Sequence, residues 1–282
     1  MVSVIVPFRN AEQHVEALLR SLVAQDYRRT WQVVAVDNGS KDRSRVLIDQ
    51  FSQSLNLTIV DASARANLAH ARNVGARAAA GDKLLFVDAD DEVGHGYVSA
   101  MSCALDIHKL VTSRVDSTTL NAEWVRDAHG PPWQESGIGV FLDFLPGTGA
   151  NIGIRRALFE QLGGFSDEFN GAEDLAFSWK AQLDAGVEPQ FVGDAVYRYR
   201  YRDTYAGLFR QSVNWGHGLV ALYRCFRHAG MPRRTLRAAV DEWGDVLWGL
   251  ARSSETRPAL VVRLGYCVGR LAGSIKYGAP YF

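Results

Sequence analysis

Asn67–Glu92 reads NLAHARNVGARAAAGDKLLFVDADDE. Its first half is rich in alanine and stops at Gly81, which predicts a helix over about 67–81. KLLFV is a short apolar run and reads as a strand buried on both faces. A helix that feeds directly into such a strand is half of a βαβ unit. The strand then ends in four carboxylates within five positions: Asp88, Asp90, Asp91 and Glu92. Carboxylates set side by side raise one another's pKa unless a cation or a hydrogen-bond network offsets the repulsion. Two readings are open: a solvated, capped turn, or a pair of carboxylates, Asp88 and Asp90, holding a divalent metal that carries a diphosphate.

The same alternation runs back to the N-terminus. VSVIVPF (Val2–Phe8) predicts a strand ended near a proline, and Asn10 with Gln13 predicts a capping box. Val15, Leu18, Leu19, Leu22 and Val23 share one helical face. WQVVAVDNGS (Trp31–Ser40) is a second buried strand with a polar turn, a helix is expected from about Asp42 to Gln53, and LTIV (Leu57–Val60) is a third strand. Strand and helix alternating at short intervals mean βαβ units and a mainly parallel sheet. Ligands of such sheets sit beyond the carboxyl ends of the strands. Three polar clusters fall there: Pro7–Asn10, Asp37–Ser40 and Asp88–Asp91. Asp37–Ser40 is either a plain strand-to-helix turn or a site where Asp37 faces a base or ribose, with Pro7 to Asn10 lining the other side of the pocket; Arg72 either faces the diphosphate or is a surface arginine.

After Glu92 the rhythm weakens. KLVTSRVD (Lys109–Asp116) is a further strand candidate, and 117–146, with its HGPPWQ breaker, reads as loop. ALFEQLGG predicts a short helix closed by glycine, and EDLAFSWKAQLDAG a helix with Glu173 and Asp174 in its first turn. That acidic pair is either a favourable helix-dipole contact or a general base awaiting an acceptor hydroxyl. Trp133, Trp179 and Trp215 read as core or loop anchors rather than sugar platforms. The expected division is a catalytic part over 1–204 and a helical C-terminal region over 205–282.

The bulk numbers bound the function. The 282 residues hold 47% hydrophobic residues, enough for a full core, and Lys+Arg and Asp+Glu are both 31. That balance argues against nucleic acid as the main partner. The three cysteines include no CxxC pair, so neither a disulfide framework nor a zinc site is indicated. No basic leader with a long apolar core opens the chain, and no apolar run is long enough to span a bilayer. A cytoplasmic setting is expected.

VSVIVPFRNAEQHVEALLRSLVAQ, VVAVDNGSKDRS, ARNVGARAAAGDKLLFVDADDEV and GGFSDEFNGAEDLAFSWKAQLDAG occur in that order over about residues 2–205. Together they resemble the family-2 glycosyltransferases. The resemblance implies a GT-A fold, a Rossmann-like sandwich on a mainly parallel sheet. It implies an inverting transfer of one sugar from a nucleotide-diphosphate donor, with Mn2+ or Mg2+. It matches Pro7, Arg9 and Asn10 to the first nucleotide loop, Asp37 to the base-holding aspartate, and Asp88 and Asp90 to the DxD motif. Asp174 matches the base, with Glu173 beside it, and Gly147–Asn151 the loop near donor sugar and acceptor.

Two departures stand out. Relatives read VDDGS where this chain has VDNGS, so Asn38 lacks a charge. A histidine that often serves as an extra metal ligand is replaced by Arg198 in RYRYRD; either Asp90 and phosphates suffice for the metal, or Arg198, with Arg200, offsets leaving-group charge, or metal affinity is weak. The processive-synthase QxxRW signature is absent, which favours single-sugar addition. The acceptor is expected to be a glycan, a lipid-linked molecule or a small molecule. The basic, apolar stretch RPALVVRLGYCVGRLAGSIKYG either lies on a membrane surface or packs on the catalytic part. Rival readings are a non-catalytic protein that kept the fold, and a sugar nucleotidyltransferase, which lacks its glycine-rich loop here. Oligomeric state is not legible.

Overall fold

The structure, a computed structural model, describes residues 1–132, 134–169, 171–252 and 257–282. The elements in chain order are β1 (Val2–Phe8), α1 (Val15–Val23), β2 (Trp31–Asp37), α2 (Ser44–Asp49), β3 (Leu57–Asp61), α3 (Leu68–Ala78), β4 (Lys83–Phe86), β5 (Glu92–Val93), α4 (Tyr97–Ile107) and β6 (Leu110–Asp116). There follow α5 (Glu123–His129), β7 (Val140–Phe141), β8 (Leu145–Pro146), β9 (Ile152–Arg155), α6 (Arg156–Gln161), α7 (Glu173–Ala185), β10 (Gln190–Arg198), α8 (Tyr205–Phe226), α9 (Leu236–Arg252) and α10 (Arg257–Tyr277).

One sheet runs in the order β3-β2-β1-β4-β9-β6-β10-β5. The first four strands are mutually parallel, so their carboxyl ends share one rim. β9 pairs antiparallel with both β4 and β6 and joins this half to a second parallel pair, β6 with β10. Every residue of β1 and β4 is buried, as their unbroken apolar runs require. Val2, Val4 and Val6 pack with α1, α2 and α4 on one face, while Ile5, Val34 and Val36 meet α3, α6 and α7 on the other. α3 sits close to the sheet because it carries Gly75: a Cβ there would lie 2.5 Å from Ile5 Cγ2 and 2.8 Å from Val36 Cγ2.

The expected mixed α/β sandwich with a helical C-terminal region is what the chain adopts. Several local expectations need correction. The Asn10–Gln13 capping box does not form: α1 starts after His14 with no side-chain cap, and Asn10 adopts φ 52, its side-chain Oδ1 accepting from Lys41 N instead. The helix expected over 42–53 is only α2, because residues 50–54 tighten into turns. Within 117–146 lies α5, ended by Gly130 at φ 71; only Val125 and Ala128 point inward, too sparse a pattern to read. β9 and β10 carried no recognisable signal of their own. Trp179 is a core anchor, fully buried with Nε1 donating to Leu145 O at 3.1 Å. Trp215 packs against the cluster of Val125, Ala128, Tyr201, Leu208 and Val262 and also lines a cavity, and Trp133 lies outside the described residues.

α8 and α10 cross at very short range. Gly265, Gly269 and Gly273 form one stripe on α10. A Cβ on Gly265 would come within 2.6 Å of Ser212 Cβ, one on Gly273 within 2.9 Å of Val220 Cγ2, and one on Gly269 would run into the Val213 carbonyl. From the other side, Gly216 leaves room for the Tyr266 carbonyl. α10 is thereby fastened to α8 along its length. No described helix is long and apolar enough to cross a membrane.

Candidate active site

Two loops beyond β1 and β2 are stitched together. Asp37, 7% exposed, accepts from Gly39 N at 3.1 Å and Ser40 N at 2.8 Å, with Arg45 at 3.7 Å. Asn10 N donates to Ser40 Oγ and Ala11 N to Ser44 Oγ. Pro7 is buried inside β1, so it shapes the strand end, while Arg9 and Asn10 are exposed at the rim. Asn38 is structural: its amide donates to Ala62 O and Arg65 O, both at 2.8 Å. An aspartate there would set a carboxylate against the two carbonyl acceptors that the Asn38 amide satisfies.

The carboxylates after β4 do not repel one another unanswered, because each has its own partner. Asp88 Oδ1 accepts from Arg72 at 2.7 Å. Asp90 Oδ2 meets Arg202 at 2.8 Å. Asp91, 1% exposed, accepts from the Tyr197 hydroxyl at 2.7 Å and from Arg200 N at 2.7 Å. Glu92 lies near Arg200 at 3.4 Å and Arg198 at 3.9 Å. Burial, then Asp90 and Asp88, hold the Asp91 carboxyl well above the ordinary carboxylate range. Tyr197 also receives the Asp88 N–H at 3.0 Å, which ties the turn to β10.

Most of these partners come from Tyr197–Arg202, whose strict alternation YRYRYR went unread as a pattern. In extended chain a period of two separates faces. Tyr197, Tyr199 and Tyr201 line a cavity, while Arg198 and Arg200 turn to Glu92. Arg202, rather than Arg198, is the guanidinium at Asp90.

Arg72 is no surface residue. It is 1% exposed and donates to Asp88 Oδ1 at 2.7 Å and Glu173 Oε1 at 2.6 Å. Burial works against its charge, and Asp88 and Glu173 more than offset that, so it is held above its ordinary value. Glu173, 3% exposed, is therefore an ion-pair partner and not a solvated helix cap. Asp174 beside it has no arginine of its own; its Oδ1 accepts from Leu175 N at 2.7 Å. Burial first, and then the Glu173 charge, push the Asp174 carboxyl up to about 7, against the pull of Arg72.

Asp88, Arg72, Glu173 and Asp174 line a cavity of about 750 Å³. Thr148 to Asn151 line it too, with Asn151 pinned to Ser113 through its amide. Asp37, Asn38, Pro7, Arg9, Asn10 and Asp90 lie outside its wall.

Among the described residues, no three His, Cys, Asp or Glu side chains gather as a ligand set. A Mg2+ or Mn2+ that carries a diphosphate needs only one or two protein carboxylates, the rest coming from phosphate and water. Asp88 and Asp90 fit that need, each with one oxygen outside its arginine pair.

A family model, Glycosyl transferase family 2, matches residues 3–163. The chain belongs to glycosyl transferase family 2. Among family relatives, glycosyltransferase AglE of Haloferax volcanii is 34% identical over 229 residues, 79% of this chain and 74% of that protein. Poly(ribitol-phosphate) beta-N-acetylglucosaminyltransferase TarS of Staphylococcus aureus is 28% identical over 203 residues, 70% of this chain but 35% of that protein, so the chain spans about a third of its length. Its solved residues 1–349 in complex with UDP-GlcNAc superpose with a TM-score of 0.59 at 19% identity, over 100% of this chain and 93% of that one. Mannosyltransferase PcManGT from Pyrobaculum calidifontis, solved with GDP-Man and Mn2+, gives 0.65 at 19% identity over 96% and 86%. At these identities the likeness establishes the GT-A fold.

Proposed function

We propose that this chain moves one sugar from a nucleotide-diphosphate donor to an acceptor hydroxyl, with inversion, and that Asp174 is the general base. The observation that carries this reading is the place of Asp174 in the cavity wall, beside the Arg72-bridged Asp88 and Glu173 and without an arginine pair of its own; burial and the Glu173 charge push its carboxyl up. A base poised near neutrality is what proton removal from a hydroxyl requires. Oδ1 is occupied by Leu175 N–H, so Oδ2 is the atom that receives the proton. Glu173 is clamped by Arg72 and buried, which leaves one available carboxylate. A single displacement by the acceptor oxygen, from the face opposite the nucleotide, follows.

The nucleotide belongs at the rim of Arg9, Asn10 and Asp37, outside the cavity. The donors bound by TarS and PcManGT support a nucleotide sugar here. Asp88 and Asp90 would hold the divalent ion, which supplies Lewis-acid neutralisation of the leaving diphosphate. Arg202 adds fixed positive charge beside Asp90. The test is Asp174→Asn with a UDP- and GDP-sugar panel. Transfer is expected to disappear while nucleotide binding persists; retained transfer would remove Asp174 from the role.

A further inference from the structure

α9 and α10 run antiparallel. Glu242 pairs with Arg270 and Asp245 with Arg263 across them, and Val246, Leu260 and Cys267 form a small buried cluster between them. On α9, Leu236, Val240, Trp243 and Leu247 fall at i, i+4, i+7 and i+11, one row along the helix. On α10, Leu264, Val268, Leu271 and Ile275 repeat that spacing. Trp243 and Leu264 are half-buried and pack on the same cluster, which sets the two rows side by side. Away from that cluster the rows lie open: Leu236 is 70% exposed, Leu247 63% and Ile275 76%. Single exposed apolar side chains are ordinary on a protein surface, but two adjoining rows of them mark a contact face.

Charge decides what covers this face. The chain as a whole is balanced, yet residues 224–282 carry ten Lys and Arg against four Asp and Glu. Of those acids, Glu242 is held by Arg234 and Arg270, Asp245 by Arg263 and Asp241 by Arg237. Arg233, Arg257 and Lys276 stand exposed near the ends of the two helices. A second copy of the chain would set this positive excess against itself. An anionic bilayer answers both features: its headgroups attract the basic side chains, and its acyl boundary takes the leucine, valine and isoleucine rows. We infer that α9 and α10 together seat the protein on an anionic lipid surface, with the two apolar rows sunk into the headgroup boundary. α10 then serves on two sides, its glycine stripe against α8 and its Leu271 and Ile275 against lipid. The inference is independent of the transferase reading.

The test is sedimentation of the full chain with vesicles of phosphatidylcholine, alone or mixed with phosphatidylglycerol, beside a control without vesicles. The expected result is pelleting with the mixed vesicles, weakened as salt is raised, and little with phosphatidylcholine alone. Leu247→Gln and Ile275→Gln, one on each helix, are each expected to weaken vesicle affinity about tenfold. Both positions are exposed, so the variants fold, and a melting temperature at the wild-type value verifies it. Val46→Gln, at a comparably exposed valine on α2, is expected to pellet as wild type does. A wild type that stays in the supernatant with mixed vesicles overturns the inference, and so does pelleting that the α9 and α10 variants leave intact. Equal pelleting on the two vesicle types overturns the anionic surface. A dimer in analytical ultracentrifugation that both substitutions break, without vesicle pelleting, overturns it in favour of a second copy. None of these outcomes bears on the role of Asp174.

Discussion

Asp88 and Glu173 share one buried guanidinium: Arg72 reaches the first at 2.7 Å and the second at 2.6 Å. The end of β4 and the first turn of α7 are thereby joined through a single charge. Arg72→Met would leave both carboxylates without it. The expected loss is about 3–5 kcal/mol, the cost of an uncompensated buried charge, read as a lowered midpoint in urea denaturation. Arg72→Lys, a single ammonium in place of a fork, recovers only part of it.

The Asp174 carboxyl sets a pH dependence of known sign. Its pKa rises from 3.8 to about 7 on folding. Between those values the folded protein holds a proton that the unfolded chain has released. Stability therefore falls as pH rises through that window, and the penalty is complete above about 7. Asp174→Asn removes the penalty. Thermal unfolding is expected to show the variant more stable than wild type at pH 8 and the two alike near pH 4. On the proposal that Asp174 is the base, transfer by the wild type is expected to rise through the same window.

Asn38→Asp sets a carboxylate against the carbonyls of Ala62 and Arg65. The expected cost is about 1–3 kcal/mol, seen as a lower melting temperature. Asn38→Ser, small and able to donate, costs less.

Arg202 and a divalent ion compete for Asp90 if the metal reading holds. Arg202→Ala is then expected to bind Mn2+ more tightly in the absence of nucleotide, by about two- to fivefold, as a half-exposed ion pair allows. Water-proton relaxation reads this without turnover. Unchanged Mn2+ affinity would separate Asp90 from the metal.

Gly269→Ala drives a methyl group into the Val213 carbonyl at the α8–α10 crossing. Overpacking of this kind costs about 1–3 kcal/mol.

The parallel half of the sheet was legible because its strands are continuous apolar runs, and such runs have few other uses. The rim was legible because turn residues and carboxylates follow those runs at Asp37 and Asp88. Beyond Glu92 legibility dropped for physical reasons. β9 is four residues long and identified only by its two neighbours. α5 buries two side chains. Arg72 was ambiguous because nothing local distinguishes a helical arginine on the surface from one facing Asp88 and Glu173; the second of these lies far along the chain. Arg202 was overlooked in favour of Arg198 because a motif position was weighed; the period-two pattern sets Arg198, Arg200 and Arg202 on one side and does not choose among them. The cavity's aromatic lining draws on α5, the Tyr199–Arg202 segment, α8 and α10, and no short window contains it.

The alternation in Tyr197–Arg202 makes the protein sensitive to chain length there in a way it is not to composition. Exchange of one tyrosine for phenylalanine, or one arginine for lysine, leaves each side chain on its own face. Removal or addition of a single residue would turn the following ones over, exchanging the sides that Tyr197 and Tyr199 and that Arg198 and Arg200 now take. Insertions and deletions should therefore be scarce in this strip and frequent on either side of it.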